Sequence, residues 1–489
     1  MDRPNILIIV TDQLTWRALP YYGDRYAKTP NIDRICKSGA GFDACYCTFP
    51  MCQPSRASFW SGIYPHETNV LSNGRRWHVD NLPDSVPTLG ETFANAGYKA
   101  IHFGKTHDAG ALRGFECVPV QRFDFQRNKP QPGVAWPTNY DTANDVDTTA
   151  KAVEFLETNT DAPFIMVADF NNPHDICNWI GVFQGPHEDL DPGVPLPELP
   201  ENFWFDDIAN RPRAVQYICC SHNRQAHAAQ WSPNNFRHYL AAYYHFLSLA
   251  DASIGQVLDA LDKRADRDNT LIVFMSDHGD SMASRRRVTK QVDLYEEVTR
   301  VPFIFNGPGV VPREKPIGGH PVSSLDLFPT LCAYAGIEAP KGLRGIDLTG
   351  ALRGGEIPAR DYIASEWHTE WGFTVSPGRM IRNDRYKYTR YIEDNAEELF
   401  DLQLDPWEKV NQAKNPEYAD ALAQMRDLFA RFLEETHDNF LSLSWEADPQ
   451  WRSHKIGYEN HRGPAAPEAI EPFPVWFKKG AFDNAEKKE

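Results

Sequence analysis

Four short apolar segments of this 489-residue chain each lead into a cluster of polar side chains. Continuous apolar runs of four to six residues are typical of strands buried on both faces, as in a parallel sheet. Because the carboxyl ends of parallel strands share one edge of a sheet, we expect the four clusters to meet there. The clusters are Asp12-Gln13 after residues 5–10, Lys105-Thr106-His107 after residues 100–103, Asn171-Asn172-Pro173-His174 after residues 164–168, and Asp277-His278 after residues 271–275.

Helical spacing between these segments completes the predicted fold class. Residues 236–261 and 324–334 carry apolar side chains at helical intervals, which predicts an α/β fold with a large, mixed, mostly parallel sheet sandwiched by helices. The pattern changes near residue 360. A hairpin over residues 378–391, a short strand at 399–402 and a helix over 416–436 predict a small antiparallel sheet with one helix. We therefore expect an N-terminal α/β domain over residues 1–360 and a C-terminal subdomain with an extended tail over residues 361–489.

Composition excludes some classes of partner. The formal net charge of −17 argues against nucleic acid, and no apolar run approaches the roughly 20 residues that a membrane span requires.

The nine cysteines are odd in number and show no repeated spacing, so reduced thiols are expected. The short apolar run near the N-terminus ends at Asp12 and reads as a strand rather than a signal peptide. We expect a cytoplasmic protein, or a periplasmic or secreted one if a signal has been removed.

The clusters offer three kinds of reactive group. Asp12 and Asp277 suit a hard divalent cation through oxygen ligands, with Gln13 and His278 as further ligand candidates. The cations are Arg56, Lys105 and Lys290, and the acid or base candidates are His107 and His174. Each residue alone is weak evidence, because an aspartate that ends a strand is usually a turn or cap residue.

The segment over residues 52–62 reads CQPSRASFWSG. Cys52 followed by Pro54 and Arg56 resembles the signature of the formylglycine-dependent (type I) sulfatases of the alkaline phosphatase superfamily. In that family an activating enzyme oxidises the cysteine to formylglycine (3-oxoalanine), whose hydrate is the nucleophile. Residues 55 onward are expected to open a helix whose free N–H groups favour negative charge at Cys52. Further family motifs follow in order, so the resemblance covers about residues 4–412.

The resemblance implies a role for each matching residue. The implied catalytic set is Cys52, Arg56, Lys105, His107, His174 and Lys290, and the implied metal ligands are Asp12, Gln13, Cys52, Asp277 and His278. Arg56 would hold the hydrate, while Lys105, His174 and Lys290 would bind the sulfate. N-terminal residues 1–360 would then form the catalytic domain, and the motif LFDL at residues 399–402 would belong to the family's C-terminal signature.

Two positions depart from the family pattern. Many relatives have a second aspartate in place of Gln13 and an asparagine in place of His278. Both residues remain compatible with metal binding, although Gln13 removes one negative charge. Calcium is the first expectation, with manganese or another divalent ion as the alternative. A formylglycine-generating enzyme is the implied maturation partner.

The resemblance also implies a mechanism. The hydrate formed at Cys52 attacks sulfur in line, with Asp277 assisting its deprotonation. His174 or Lys290 protonates the departing oxygen. His107 then removes a proton from the remaining hydroxyl, which expels sulfate and regenerates the aldehyde. The expected activity is that of a sulfuric ester hydrolase.

Two other functions stay open at this point. Phosphonate monoester and phosphodiester hydrolases of the same superfamily use the same formylglycine and metal machinery. A binding protein that keeps the fold but is never matured is the second alternative, although the intact Cys52, Pro54 and Arg56 argue against it.

Aromatic and basic residues suggest the substrate class. The stacking candidates are Trp60, Trp77, Trp179, Trp367 and Trp371, and His368, Arg75 and Arg76 could recognise a uronate or a second sulfate. They favour a small sulfated saccharide, including a terminal residue of a glycosaminoglycan-derived oligosaccharide. The substrate-binding set is Lys105, His174, Lys290, Trp179 and His368. Residues 285–287, three consecutive arginines, are expected to lie in an exposed loop, and the oligomeric state stays open.

Overall fold

A computed structural model describes most of the chain. The described residues are 3–73, 81–121, 143–159, 163–181, 194–204, 211–212, 215, 228, 231–290, 293–368, 377–392 and 395–443. Trp77, Trp371, Arg75, Arg76 and the tail beyond residue 448 lie outside them. Among the described helices, none has both the length and the apolar character needed to cross a bilayer.

Strands within the described residues form sheets of seven, three and four strands. In chain order they are β1 (Asn5–Asp12), β2 (Ala40–Gly41), β3 (Cys45–Tyr46), β4 (Lys99–Gly104), β5 (Glu116–Val118), β6 (Phe164–Pro173), β7 (Thr270–Ser276), β8 (Arg300–Val301), β9 (Phe303–Asn306), β10 (Val322–Ser323), β11 (Ile363–Trp367), β12 (Gly378–Arg382), β13 (Tyr386–Tyr391) and β14 (Glu397–Asp401). The seven-stranded sheet has the order β2-β9-β7-β1-β6-β4-β5.

Helices cover both faces of the large sheet. The helices of the described residues are α1 (Pro30–Lys37), α2 (Cys52–Ser61), α3 (Pro65–Thr68), α4 (Leu89–Asn95), α5 (Ala143–Thr158), α6 (Ile176–Gly181), α7 (Pro233–Asp262), α8 (Glu296–Thr299), α9 (Leu327–Ala335), α10 (Thr349–Leu352) and α11 (Ala419–Thr436). Of these, α11 packs on β12 and β13 and not on the large sheet. Leu7 and Ile9 of β1 face the core under α1, α5 and α7, whereas Ile8 and Val10 face the core under α2, α4 and α9. The alternation explains why β1 is apolar at every position from residue 6 to 10, and it confirms the predicted sheet buried on both faces.

Strand register determines where the site forms. β1 lies between β6 and β7 and pairs in parallel with both, so that Thr11 lies opposite Ser276. β4 pairs in parallel with β6, which places Gly104 opposite Asp169. At one side of this sheet β9 pairs antiparallel with β7, and β2 pairs antiparallel with β9. The carboxyl ends of β1, β4, β6 and β7 therefore lie side by side, as the sequence predicts.

The second sheet contains β11 to β14 in sequential antiparallel order. The predicted hairpin is confirmed: β12 and β13 pair, and the Asn383 N–H donates to the Tyr386 carbonyl at 3.0 Å. A 3₁₀ turn at Pro416–Tyr418 precedes α11, and the Asn415 side chain accepts from the Glu417 N–H at 3.1 Å. All four strands follow residue 360, and the domain boundary at that residue stays a prediction.

Candidate active site

Cys52 occupies the first position of α2 and lies where the four strand ends meet. Its side chain is buried, with 1% of its surface exposed. The Sγ atom lies 3.1 Å from Lys290 Nζ, 3.2 Å from His278 Nε2, 3.7 Å from Asp12 Oδ1 and 3.9 Å from Lys105 Nζ. The expected convergence of distant polar clusters is therefore present in the structure.

The electrostatic surroundings of Cys52 favour an anion. Burial and Asp12 raise the pKa of the thiol, but Lys105, Lys290 and His278 outweigh them and hold that pKa well below its usual value. A pocket that stabilises a thiolate at this point also stabilises the negative charge of a bound oxyanion. The local potential thus differs in sign from the net charge of the chain.

Arg56, one turn further along α2, is buried among three carboxylates. Its Nε donates to Asp277 Oδ2 at 2.9 Å, its Nη2 lies 3.3 Å from Asp12 Oδ2, and its Nη1 binds Asp169. The guanidinium therefore binds the Oδ2 atoms of Asp12 and Asp277. The Oδ1 atom of Asp12 faces Cys52 and His278, and the Oδ1 atom of Asp277 faces His278.

Asp169 is a third carboxylate of the site that sequence reasoning missed. It directly follows the predicted strand at residues 164–168, and in the structure β6 continues through it to Pro173. Its carbonyl accepts from the Lys105 N–H at 3.1 Å. An acidic residue directly after a fully apolar strand was the available signal.

Gly104 shows how closely β4 and β6 approach beside Lys105. Its φ is +106°, and a Cβ at this position would lie 1.9 Å from the Asp169 carbonyl oxygen. A side chain would therefore push β6 away and displace Asp169, so the glycine before Lys105 has a steric reason.

Cys52 and three side chains around it form a group that could hold a divalent metal ion. Ligand atoms of Asp12, Cys52, Asp277 and His278 all lie within 4.8 Å of one another. His278 Nδ1 faces the Gly279 carbonyl at 2.9 Å, which fixes the ring with Nε2 toward the pocket. Two carboxylates and one imidazole suit a hard or borderline divalent cation.

The two carboxylates of this pocket differ in pKa. Burial raises the pKa of Asp12, but Lys105 and Lys290 outweigh it, and the pKa lies well below the usual range. Burial and the neighbouring Asp12 raise the pKa of Asp277 to about 6. A cation bound beside Asp12 and Asp277 would lower the pKa of Asp277 again.

Gln13 has a positive φ of 70° and lies directly behind the pocket. Its Nε2 donates to Asp280 Oδ2 at 2.7 Å, and the Cys177 thiol donates to its Oε1 at 3.3 Å. The side chain is thus fixed by Asp280, a second acidic residue that sequence reasoning missed. The role of Gln13 as a metal ligand stays a prediction.

The remaining predicted catalytic residues lie at the same sheet edge. Lys105 binds Asp12 Oδ2 through Nζ. His174 follows β6 and is half-buried. Burial and Lys290 hold the pKa of His174 well below its usual value. His107 is half-buried two residues after Lys105, and among the described residues its ring has no hydrogen-bond partner.

Three of the residues predicted as stacking surfaces are buried. Trp60 and Trp367 are fully buried, with Trp60 packed on Phe59 at 4.7 Å and Trp367 on Phe49 at 5.3 Å between ring centroids. Trp179 belongs to the hydrophobic core and faces Trp231 at 6.1 Å, which argues against its predicted contact with substrate. His368 is half-buried at the end of β11, and its role stays a prediction.

The prediction that residues 285–287 form an exposed loop is wrong. Arg285, Arg286 and Arg287 are 4%, 7% and 3% exposed. Acidic partners and aromatic rings explain the burial: Arg287 pairs with Asp293, and Arg286 lies 4.8 Å from the Trp204 ring centroid.

A second group of histidine and carboxylates lies between α3 and the C-terminal sheet. We name it the His66 cluster: His66, Glu366, Asp438 and Arg379. His66 Nδ1 lies 2.6 Å from Glu366 Oε1, and Nε2 lies 3.2 Å from the Thr436 carbonyl. Arg379 Nε donates to Asp438 Oδ2 at 2.6 Å.

Comparison with known proteins places this site in a family. The family model described as sulfatase matches residues 4–337, and that of the N-sulphoglucosamine sulphohydrolase C-terminal region matches residues 289–435. A Delta 4,5-hexuronate-2-O-sulfatase of Bacteroides thetaiotaomicron is 46% identical over 473 residues, covering 96% of this chain and 97% of that protein.

Solved structures show the same fold. A structure described as a 2-O GAG sulfatase matches with a TM-score of 0.87 and 45% identity, covering 96% of this chain and 100% of its own. A phosphonate monoester hydrolase of Agrobacterium radiobacter matches with a TM-score of 0.70 and 21% identity, covering 89% of this chain and 96% of its own, and this likeness shows the fold alone. The chain therefore belongs to the sulfatase family of the alkaline phosphatase superfamily and is a sulfuric ester hydrolase.

Proposed function

We propose that this sulfatase removes the 2-O-sulfate from a terminal, 4,5-unsaturated hexuronate of a glycosaminoglycan-derived saccharide, using formylglycine made from Cys52. The observation that carries the proposal is the 46% identity, over nearly the whole of both chains, with a Delta 4,5-hexuronate-2-O-sulfatase. A 4,5 double bond removes the attachment point of a further sugar at carbon 4. The sulfate ester is therefore hydrolysed on the residue at a chain end, and the saccharide chain itself stays intact.

The charge of the pocket supports an anionic substrate. Lys105 and Lys290 lie within 3.9 Å of Cys52 Sγ, and burial, which lowers their pKa values, is outweighed by Asp12 and Cys52, so that both pKa values are raised. Both ammonium groups are therefore charged at neutral pH. We assign them to the sulfate oxygens, where two fixed cations offset the charge of the ester.

We assign Ca²⁺ to the site of Asp12, Asp277 and His278, where an oxygen of the formylglycine hydrate would replace Cys52 Sγ as a ligand, with Mn²⁺ as the alternative. The carboxylate oxygens suit calcium and manganese alike. The imidazole of His278 is a ligand that transition metals accept more readily than calcium does, and it is the reason for the alternative. When bound, such an ion supplies positive charge beside the nucleophile and the sulfuryl oxygens. The donor set of the chain fits either ion.

His174 is the better acid for the departing oxygen. Before Cys52 is converted, burial lowers the pKa of Lys290, but Cys52 and Asp12 outweigh it and raise that pKa, so the ammonium is a poor proton donor in that state. Burial and Lys290 keep the His174 ring neutral in the free site, and the charge of a bound sulfate ester offsets that of Lys290 and favours its protonation. We assign His107 as the base of the second step from its place two residues after Lys105.

A substrate comparison tests the proposal. The three substrates are an unsaturated disaccharide with a 2-O-sulfate on the uronate, the same disaccharide with only a 6-O-sulfate on the hexosamine, and an aryl phosphonate monoester. We expect kcat/KM for the first to exceed both others by about a hundredfold, roughly 2.7 kcal/mol of transition-state discrimination.

Maturation must be checked in the same preparation. Peptide mass spectrometry across Cys52 distinguishes the thiol from the aldehyde, and Cys52→Ala gives the background rate. A preference for the phosphonate would contradict the proposed reaction. A preference for the 6-O-sulfate would leave the reaction intact and contradict the substrate. Matured enzyme that hydrolyses none of the three would remove support for both.

A further inference from the structure

The segment that leads to Lys290 has an unusual backbone. Five non-glycine residues between positions 282 and 289 have positive φ: Met282 at 47°, Ala283 at 63°, Arg285 at 53°, Arg286 at 56° and Thr289 at 61°. Each such residue costs on the order of 1 kcal/mol relative to the right-handed conformation. Such strain persists only where surrounding contacts hold the backbone in place.

The two ends of this segment are joined to each other and to the core. The Ser281 N–H donates to the Thr289 carbonyl at 2.6 Å, and the Thr289 N–H donates to the Tyr239 hydroxyl at 3.0 Å. Lys290 follows directly, with its Nζ 3.1 Å from Cys52 Sγ. The position of this ammonium group therefore depends on the conformation of the loop over residues 281–289.

Arg285 holds the middle of the loop against the C-terminal part of the chain. Its Nη2 donates to the carbonyls of Trp407 at 2.7 Å and Glu408 at 3.0 Å. Its Nη1 lies 3.4 Å from Glu297 Oε2, and its guanidinium lies 4.0 Å from the Tyr295 ring centroid. The side chain thus connects the loop to two separate parts of the molecule.

The turn that receives Arg285 is itself firmly fixed. Glu408 is fully buried. Its Oε2 accepts from the Glu296 N–H at 2.8 Å, and its Oε1 lies 2.8 Å from Lys387 Nζ of β13. The carbonyls that Arg285 binds are therefore anchored to the C-terminal sheet and to α8 at once.

We propose that Arg285 is a positioning residue for the sulfate pocket: by binding the Trp407 and Glu408 carbonyls, it fixes the loop that places Lys290 beside Cys52. This inference rests on the proposed role of Lys290 as a sulfate ligand. It gives the segment after β14 a part in placing Lys290, although none of the described residues of that segment is among the side chains that contact Cys52.

The test measures binding of inorganic sulfate to the matured, metal-loaded enzyme by calorimetry, with thermal unfolding in parallel. Arg285→Lys keeps the charge and loses the double contact to the carbonyls, and Arg285→Met loses both. We expect sulfate affinity to fall about tenfold in Arg285→Met, equivalent to roughly 1.4 kcal/mol, and less in Arg285→Lys. Where Arg285→Met does not fold, the lysine variant decides.

Arg379 provides a matched control. It is a buried arginine that also binds a carboxylate, Asp438, and a backbone carbonyl, that of Trp367 at 3.0 Å, but it lies in the His66 cluster. Arg379→Lys and Arg379→Met should lower the thermal midpoint while leaving sulfate affinity within about twofold, because distant sites act independently. Equal losses of affinity in both pairs, or none in the Arg285 pair, would overturn the proposal.

A double variant separates positioning from general damage. If Arg285 acts through Lys290, Arg285→Met should add no further loss of sulfate affinity on a Lys290→Met background. Additive losses would overturn the proposal. Unchanged affinity in Lys290→Met alone would remove the assigned role of Lys290 and the proposal with it, whereas a loss there without one in the Arg285 variants would overturn the positioning role only.

Discussion

The Cys52 pocket and the His66 cluster contain the same kinds of side chain in different arrangements. The candidate ligand group of each contains one histidine and two carboxylates, with Cys52 in addition in the pocket, and its ligand atoms lie within 4.8 Å of one another beside a buried arginine. In the pocket, Arg56 binds the Oδ2 atoms of Asp12 and Asp277, and His278 Nε2 faces Cys52 Sγ. In the His66 cluster, both ring nitrogens already face acceptors.

Ligand type and spacing alone therefore do not separate the proposed metal site from the His66 cluster, whereas the partners of the carboxylates do. In the His66 cluster, Asp438 is paired with Arg379 and Glu366 is paired with His66. A metal ion bound there would have to displace one of these side chains from its carboxylate. Arg56 instead leaves one oxygen of each aspartate facing the pocket. We therefore expect changes in the pocket to affect activity, and changes in the His66 cluster to affect stability.

The largest expected effect is that of Asp277→Asn. The variant removes the charge shared by Arg56 and the metal site, so kcat/KM should fall about a thousandfold. The matched control is Asp438→Asn in the His66 cluster, for which we expect less than a twofold change. Steady-state kinetics on the preferred saccharide measures both, and a comparable loss in the control would contradict the distinction.

Glu366→Gln should destabilise the protein without affecting turnover. It removes the carboxylate that binds His66 Nδ1 in a buried position, which should cost about 3 kcal/mol of unfolding free energy. Urea unfolding measures the loss, and kcat/KM should stay within about twofold of the wild-type value. A large loss of activity at full folding would assign the His66 cluster to the reaction.

Metal removal should affect the two regions unequally. A bound ion at a hundred times its dissociation constant stabilises the fold by roughly 2.7 kcal/mol, and a chelator should remove this increment together with activity. Glu366→Gln should lose the same increment as the wild type, and Asp277→Asn should lose almost none. Thermal unfolding with and without chelator measures these differences, and an increment that disappears in Glu366→Gln would place an ion in the His66 cluster.

The smallest expected effect is a pH dependence due to His66. Burial lowers its pKa, but Glu366 outweighs burial and raises the pKa to about 8. The value in an unfolded chain is about 6.5, so the charged ring contributes roughly 2 kcal/mol below that pH, and the contribution is lost as pH rises through about 8.

This dependence is measured as the difference in unfolding free energy between wild type and His66→Gln from pH 6 to 9. The difference is needed because burial also raises the pKa values of Asp175 and Glu408 to about 7. The difference should shrink with rising pH. A constant difference would contradict a charged His66.

The sheet and the meeting of its polar clusters were predictable because both depend on local pattern and simple geometry. Residues 6–10 are apolar at every position, and a strand buried on both faces requires this. Parallel pairing with β6 and β7 then brings Asp12, His174 and Asp277 to one edge. The motif around Cys52 indicated the family without structural information.

Other parts of the site depend on contacts between distant residues. Asp169 and Asp280 act through Arg56 and Gln13, which lie 113 and 267 positions away along the chain. Three consecutive arginines resemble a solvated loop, and their burial depends on partners such as Glu297 and Asp293. An apolar ring suits a core and a sugar surface equally well, so Trp60 could not be assigned from composition.

The central place of β1 has a consequence for slow opening motions. Its backbone is hydrogen-bonded to parallel neighbours on both sides, and its last residue, Asp12, lies in the pocket. Amide hydrogens of Ile8 and Val10 should therefore exchange with solvent deuterium only when most of the sheet comes apart. Local unfolding would then reach the reaction centre last, after the peripheral parts of the molecule have already opened.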